Sequence, residues 1–553
     1  MAERMFGMET EYAVVAFDAD GSAVSKENFL RRLMARGLHT LKRLPDMESP
    51  LGFFLPGGRL YCDVGLHPEF ATAEATDPWE AVSMLRGGER ALARLVEEAA
   101  ADAPGVARAS LLRCNVDYSG SHATRGCHES YLNRAAPDAL PAQLSPHLVS
   151  RIIYTGAGGF DPTCAGALFV LSPRAAYVKQ SVSCDTMHSR GVFNTKDEPL
   201  CGKGYHRLHV ILGESVCSDT AAWLKVGTTA LVVAMIEAGA NPGSGVRMRS
   251  AVAALNTFAK DCRCTAAVPT EQGPLTALKI QRHYLERAES CLGAAFMPGR
   301  AEEVCRLWRR RLDELENGPV MLSRTLDWAI KQDLYSRRCS RRGFDWNVVP
   351  VWAQAADSLR SALNEDESGE IRLTAEVVRA PNSPIRREID RLARYYTSRG
   401  LNWNQLNAYL RLRDELFVLD SRFGEAKSGV FDALDRQDLL DHRVDGVPLC
   451  SEGMHVPRSG RGRVRAEFVL RLPDSQRDQF TCSWSHILDE STDRMLDLTD
   501  PWEGGERWRD QRPLPQIVRR LPGFRPGVAW QPAGRRTRGR PEWPRNVDTP
   551  GGA

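Results

Sequence analysis

Two stretches of this 553-residue chain set ionisable side chains at every second position. MFGMETEYAVV carries Glu9 and Glu11; GGRLYCDVGLHPEFATAE carries Arg59, Tyr61 and Asp63, with Glu69 and Glu74 directly after. In a strand, residues i and i+2 share a face about 6.6–6.8 Å apart, so each stretch projects its charges to one side. Side by side, the two strands make a wall of acids beside an arginine. Buried carboxylates repel one another, and such a wall needs cations. Magnesium fits, because it takes oxygen ligands and keeps sites open for water and phosphate oxygens. Taken singly, each pattern also fits a polar sheet face or a turn; their conjunction is what points to a site. A third piece, RCNVDYSGSHATRGCHESYL, adds His128 and Glu129 in a glycine- and polar-rich loop.

The rest of the chain says what carries these residues. Short β-rich runs (YAVVAF, RLYCDV, ALFVLS, RLHVILG) mix with amphipathic stretches such as WEAVSMLRGGERALARLVEEAA, where Ala81, Leu85 and Leu92 help form an apolar face. That is an α+β pattern with a large sheet. From about 276 to 420 the chain reads as mainly helical, and RRGFDWN at 341–347 recurs as SRGLNWN at 398–404, Trp346 answering Trp403 and Asp357 answering Asp414. After 505 the composition turns rich in Arg, Pro, Gly and Trp, and beyond about 521 it predicts disorder. This basic tail is read as a solvated segment, with an arm for RNA or an acidic protein surface as the alternative.

A net charge of +3 gives no whole-molecule argument for nucleic acid or an anionic membrane. Fourteen cysteines without a CxxC pair speak against a zinc knuckle or disulfide ladder and for reduced cytosol. The apolar run TTALVVAMI is shorter than the roughly 20 residues that span a bilayer. The expectation is a soluble cytoplasmic protein.

The motifs GMETEYAVV, GGRLYCDVGLHPEFATAE, GCHESYL, VFNTKDEPL, YHRLHVILGE and LKVGTTALVVAMIEAG, extended by LKIQRHYLERA, TLDWAIKQDLY and FTCSWSHILDE, resemble in order those of the Pup ligase family and its sister, the Pup deamidase and depupylase. The resemblance covers roughly 1–340 and 400–505. It implies a glutamine synthetase-like fold: a curved antiparallel sheet backed by helices, with a small C-terminal domain. The resulting map is a catalytic domain over 1–442 with an extra helical insertion at about 343–400, a C-terminal domain over 443–505, and the tail over 506–553. It further implies magnesium ligands at Glu9, Tyr61 and Glu69, ATP contacts at Arg59, Thr72 and Trp484, and Asp63 as catalytic base. Glu11, His128, Glu129, Lys196 and Arg207 are secondary candidates.

The implied reaction is ATP-dependent and magnesium-dependent: the side-chain carboxylate of the C-terminal glutamate of a Pup-like modifier becomes a glutamyl phosphate and is joined to target-protein lysines. Lysine has an unperturbed pKa of about 10.4, so the amine must lose a proton, and an aspartate whose own pKa is lifted by nearby acids is expected to take it. The chain departs from the family at Ser130, Lys196, Leu200 and His206, and lysine for arginine at 196 replaces a fork with a point charge. YCDVGLHPEFATAE resembles the ligase branch and the long loop of the depupylase before it is missing, although MESPL at 47–51 echoes the depupylase. The alternatives are a depupylase or deamidase, the same chemistry on another modifier or a small molecule, and a nucleotide-binding pseudoenzyme scaffold. Retention of Glu9, Asp63 and Glu69 weighs against the last.

Overall fold

The computed structural model describes residues 4–47, 52–54, 57–63, 65–119, 123–185, 189–194, 200–363, 373–379, 390–391, 394, 405–444 and 456–510. Lys196, the second copy of the repeat at 398–404, MESPL beyond Met47, and the tail from 511 onward lie outside them.

Nine strands form the central sheet, in the order Gln180–Val182, Gly191–Asn194, His206–Val210, Cys127–Asn133, Phe6–Glu11, Pro68–Ala71, Gly58–Cys62, Gly52–Phe54, Arg43–Leu44. Neighbours pair antiparallel, as expected of this α+β fold, except that Gln180–Val182 runs parallel to Gly191–Asn194 at one edge, so the sheet is mixed. The stretch around His128 and Glu129 is strand, not loop: Cys127–Asn133 pairs with both neighbours. Its alternation of buried Cys127, Glu129 and Tyr131 with half-buried His128 and Ser130 was masked in the sequence by the glycines and polar residues before it.

Period-2 patterning sorts the faces. In Phe6–Glu11, Phe6, Met8 and Thr10 are buried on one side, while Gly7, Glu9 and Glu11 point to the other. The apolar side, with Leu60, Phe70, Tyr131 and Leu208, packs in the main core with the helices Pro78–Ala101 and Asp219–Glu237. Asp77 caps the first of these by accepting from the N–H groups of Trp79 and Glu80, with Pro78 leading the helix. Gly88 lets that helix approach the sheet: a Cβ there would lie 2.1 Å from the Phe70 ring. The Asp219–Glu237 helix is long and apolar enough by composition to cross a membrane, and it is wholly buried in the protein, which accounts for its apolar sequence.

Two further cores bear on the map. Helices Asp327–Arg341, Val349–Leu363 and Leu406–Phe423 enclose Tyr335, Trp352, Tyr409 and Leu416. In this region the two aspartates of the repeat do different work: Asp357 accepts from the Ala165 N–H, and Asp414 pairs with Arg413. At the other end, the helix Gly460–Arg471 and a four-stranded sheet ending at Trp508–Asp510 share a core with Leu44 and Phe53 of the central sheet's edge.

Candidate active site

Antiparallel register assembles the acids. Glu11 lies opposite Glu69, and Glu69 opposite Tyr61, so these three form one row across neighbouring strands. In the next row, Glu9 lies opposite Ala71, which lies opposite Arg59; on its other side Glu9 faces His128. Asp63 sits just past the end of its strand, and its Oδ1 accepts the His67 N–H at 2.7 Å. Ligand-type atoms of Glu11, Glu69 and His128 lie within 4.8 Å of one another, as do those of Glu11, Asp63 and His67, and of Glu9, His128 and His209.

Electrostatics divides these carboxyl groups. Burial opposes the charge on Glu9, but His209 and His128 hold its pKa well below the usual range, with His209 Nε2 at 2.8 Å and His128 Nδ1 at 3.1 Å from Oε1. Burial, then repulsion from Glu9 and Glu11, drives the pKa of Glu69 well above the usual range. Burial and the same acids push the Tyr61 phenol up. A carboxyl group whose charge is opposed by both burial and neighbouring acids marks a place for a cation. This oxygen-rich donor set fits magnesium, with the two imidazoles around Glu9 as additional donors.

Two expectations need correction. The pKa of Asp63 is lowered, not lifted: burial raises it, but the hydrogen bonds and charge of His67 prevail. Glu129 is not on the acid face. As the strand alternates it points behind the sheet, where Arg151 grips both its carboxylate oxygens at 2.6 and 2.9 Å and the Tyr131 hydroxyl donates to it.

A cavity of about 410 Å³ adjoins the acid face. Glu9, Arg59, Tyr61, Thr72, Trp484 and Arg207 are among its walls. Arg59 pairs with Asp46 and lies over the Tyr61 ring at 4.7 Å. Thr72 turns its Oγ1 to accept the Met8 N–H at 3.0 Å, and Arg207 donates to Ser130 Oγ at 3.0 Å. Trp484 arrives from the C-terminal sheet, set edge-on to Phe53 and against the Arg465 guanidinium at 4.9 Å. Sequence reasoning missed His209, although its spacing from Arg207 in RLHV puts both on one strand face. It also left Glu74 without a role. Buried Arg461 and Arg465 each hold Glu74 at 2.5 Å and, against the effect of burial, pull its pKa down to about 2, tying the C-terminal helix to the sheet beside the cavity.

The sequence model of one family, described as Pup-ligase protein, matches residues 4–376. The Pup--protein ligase of Xylanimonas cellulosilytica is 36% identical over 518 residues, covering 91% of this chain and 97% of that protein. The Pup deamidase/depupylase of Mycolicibacterium smegmatis is 34% identical over 386 residues, covering 63% of this chain and 76% of its own length. In fold, the chain resembles the ligase in a crystal structure of the complex between prokaryotic ubiquitin-like protein Pup and its ligase PafA, with a TM-score of 0.67 at 23% identity over 91% of this chain and 90% of that one.

Proposed function

Because the chain belongs to the Pup-ligase family, we infer that it is an ATP-dependent carboxylate–amine ligase joining the γ-carboxylate of a Pup-like modifier's C-terminal glutamate to lysines of target proteins. The observation that carries this reading is the register that ranks Glu11, Glu69 and Tyr61 in one row and Glu9 and Arg59 in the next, beside a cavity.

A carboxylate is a poor electrophile, so the γ-phosphoryl group of ATP is first transferred to it, giving an acyl phosphate and ADP; attack by the lysine amine then forms the amide and releases phosphate. Magnesium, when held by Glu9, Glu69 and Tyr61, supplies neutralisation of charge on the phosphoryl oxygens. Arg59, Thr72 and Trp484 line the place for the nucleotide, and Trp484 offers an aromatic face. Asp63 takes the amine's proton. Its lowered pKa means that it is ionised at neutral pH and ready to accept, with His67 fixing the carboxylate's direction.

The test is reconstitution with ATP, a Pup protein ending in glutamate and a lysine-bearing acceptor. New conjugate with stoichiometric ADP is expected. Asp63→Asn should still bind MgATP but make conjugate about 10²–10⁴-fold more slowly, the typical cost of one well-placed base. Cleavage of a preformed conjugate, with none made under any condition, would instead identify a depupylase.

A further inference from the structure

Trp484 sits in the tight turn between the strands Phe480–Cys482 and His486–Asp489, where the Ser483 N–H donates to the His486 carbonyl at 2.9 Å. Such a turn fixes its own backbone and leaves the indole's direction to its surroundings. What meets the indole is the guanidinium of Arg465, from the helix Gly460–Arg471, whose side chain is fully buried. Its Nη1 donates to the Trp484 carbonyl at 3.1 Å, its Nε to the Gly57 carbonyl at 3.0 Å, and its Nη2 to Glu74 at 2.5 Å. The same group lies over the Trp484 ring at 4.9 Å and the Phe53 ring at 5.1 Å, and Phe53 meets Trp484 edge-on with centroids 5.0 Å apart. A planar fork can join three chain segments in this way, whereas the point charge of a lysine cannot.

Backbone shape brings the arginine there. Gly57 has a φ of 92°, and a Cβ on it would lie 2.8 Å from the Gly462 carbonyl oxygen; a Cβ on Gly462 would lie 3.0 Å from Glu74 Oε2. These two glycines let the helix press onto the sheet where Arg465 reaches across. Gly57 leads directly into the strand of Arg59, and Glu74 follows Thr72 by two residues. The three anchors of Arg465 therefore are, or adjoin, three walls of the cavity: Trp484, Arg59 and Thr72. Arg461 shares Glu74 and itself lines the cavity; Arg465 does not line it, so it acts on a bound molecule through what it holds.

We propose that Arg465 is a positioning residue for the nucleotide: it sets the aromatic face of Trp484 at a fixed spacing from Arg59, so that the base stacks on the one while the phosphates reach the other. The assignment rests on the ligation reading above, which places ATP in this cavity. A ring free to turn must be ordered by the ligand, and that ordering is subtracted from the affinity. Here the cation–π contact with Arg465 and the edge contact with Phe53 supply the order beforehand.

The experiment measures MgADP dissociation constants by calorimetry for wild-type protein, Arg465→Lys, Trp484→Ala and the double variant. MgADP should bind about 10- to 100-fold more weakly to Arg465→Lys and to Trp484→Ala, the worth of one base–aromatic stack. The double variant should bind no more than about twofold more weakly than Trp484→Ala, because the arginine then has no ring to position. KM for the acyl donor at saturating ATP should stay within about twofold in Arg465→Lys, since the donor makes no use of the ring. Additive losses in the double variant overturn the proposal, and so does an unchanged MgADP affinity in Arg465→Lys. Should Arg465→Lys fail to fold in thermal melting, Glu74→Gln takes its place, because it keeps the side chain's size and weakens only the charge-assisted bond. It should bind MgADP about three- to tenfold more weakly, again with no further loss once Trp484 is replaced, and additivity overturns the proposal here too. If wild-type protein does not bind MgADP, the ligation reading fails first, and this proposal with it.

Discussion

Glutamates are buried on both sides of the central sheet, and their company differs. Behind it, Glu129 is gripped through both oxygens by Arg151, whose own pKa is raised by that carboxylate against the effect of burial, and Tyr131 completes the set. In front, Glu9, Glu11 and Glu69 face one another, and burial with that repulsion drives the Glu69 pKa well above the usual range. Both arrangements come from neighbouring positions of the same strands: His128 looks forward and Glu129 back. A charge matched by the fold needs nothing further, whereas the crowded acids of the front face favour a cation beside them.

The largest effect should come from the front. Glu9→Ala and Glu69→Ala are each expected to lower MgATP turnover by about 10³-fold or more, since metal-assisted charge stabilisation is worth several kcal/mol. Folding should not suffer, because each substitution removes a member of a mutually repelling set. Turnover assays with thermal melting check both halves, and undiminished turnover in both variants would sink the metal assignment. The back predicts the reverse. Glu129→Gln leaves Arg151 buried and unpaired, so it should cost about 3–5 kcal/mol of stability in chemical denaturation, while protein that remains folded keeps its KM for ATP.

These two classes of glutamate were unequally legible. Period 2 in METE and RLYCD placed Glu9, Glu11, Arg59 and Tyr61 on one face without any structure, because strand alternation is a local property. Which strands become neighbours is not local. The pairing of Phe6–Glu11 with both Pro68–Ala71 and Cys127–Asn133 brought Glu69 and His128 to Glu9, and the next strand brought His209. Glu129 was misread for a local reason: HES in a glycine-rich stretch does not announce a strand, so its two acid–base neighbours could not be sorted by face. The lowered pKa of Asp63 likewise depends on the tight turn that folds His67 back onto it, with Leu66 at a φ of 58°. Long-range partners of Glu74, nearly four hundred residues away in sequence, had no signal at all.

Glu74 tests the comparison by pH. Its folded pKa, about 2, is below the unfolded value of about 4.3, so its contribution to stability is full above pH 4.3 and is lost as pH falls toward 2. A shift of this size corresponds to about 3 kcal/mol. Wild-type protein should therefore lose stability to denaturant steeply between pH 4.5 and 2, and Glu74→Gln should show a shallower slope there from a lower starting point at pH 7. Equal slopes would mean that the arginine clamp does not hold in solution.

The smallest effect isolates burial from pairing. Glu415 is as well supplied with arginines as Glu74: Arg338 reaches it at 2.7 Å and Arg342 at 2.6 Å. Its side chain is 32% exposed, however, and the arginines 38% and 50%. Water screens the attraction, and holding three long side chains in place consumes their rotamer freedom, so such pairs are worth about 0–1 kcal/mol. Glu415→Gln should thus shift stability by no more than about 1 kcal/mol, and by less still in high salt, where exposed charges are screened further. Denaturation at two salt concentrations separates the cases. A loss as large as that of Glu74→Gln, insensitive to salt, would show that the number of arginines around a glutamate, rather than its removal from water, sets what the fold gains from it.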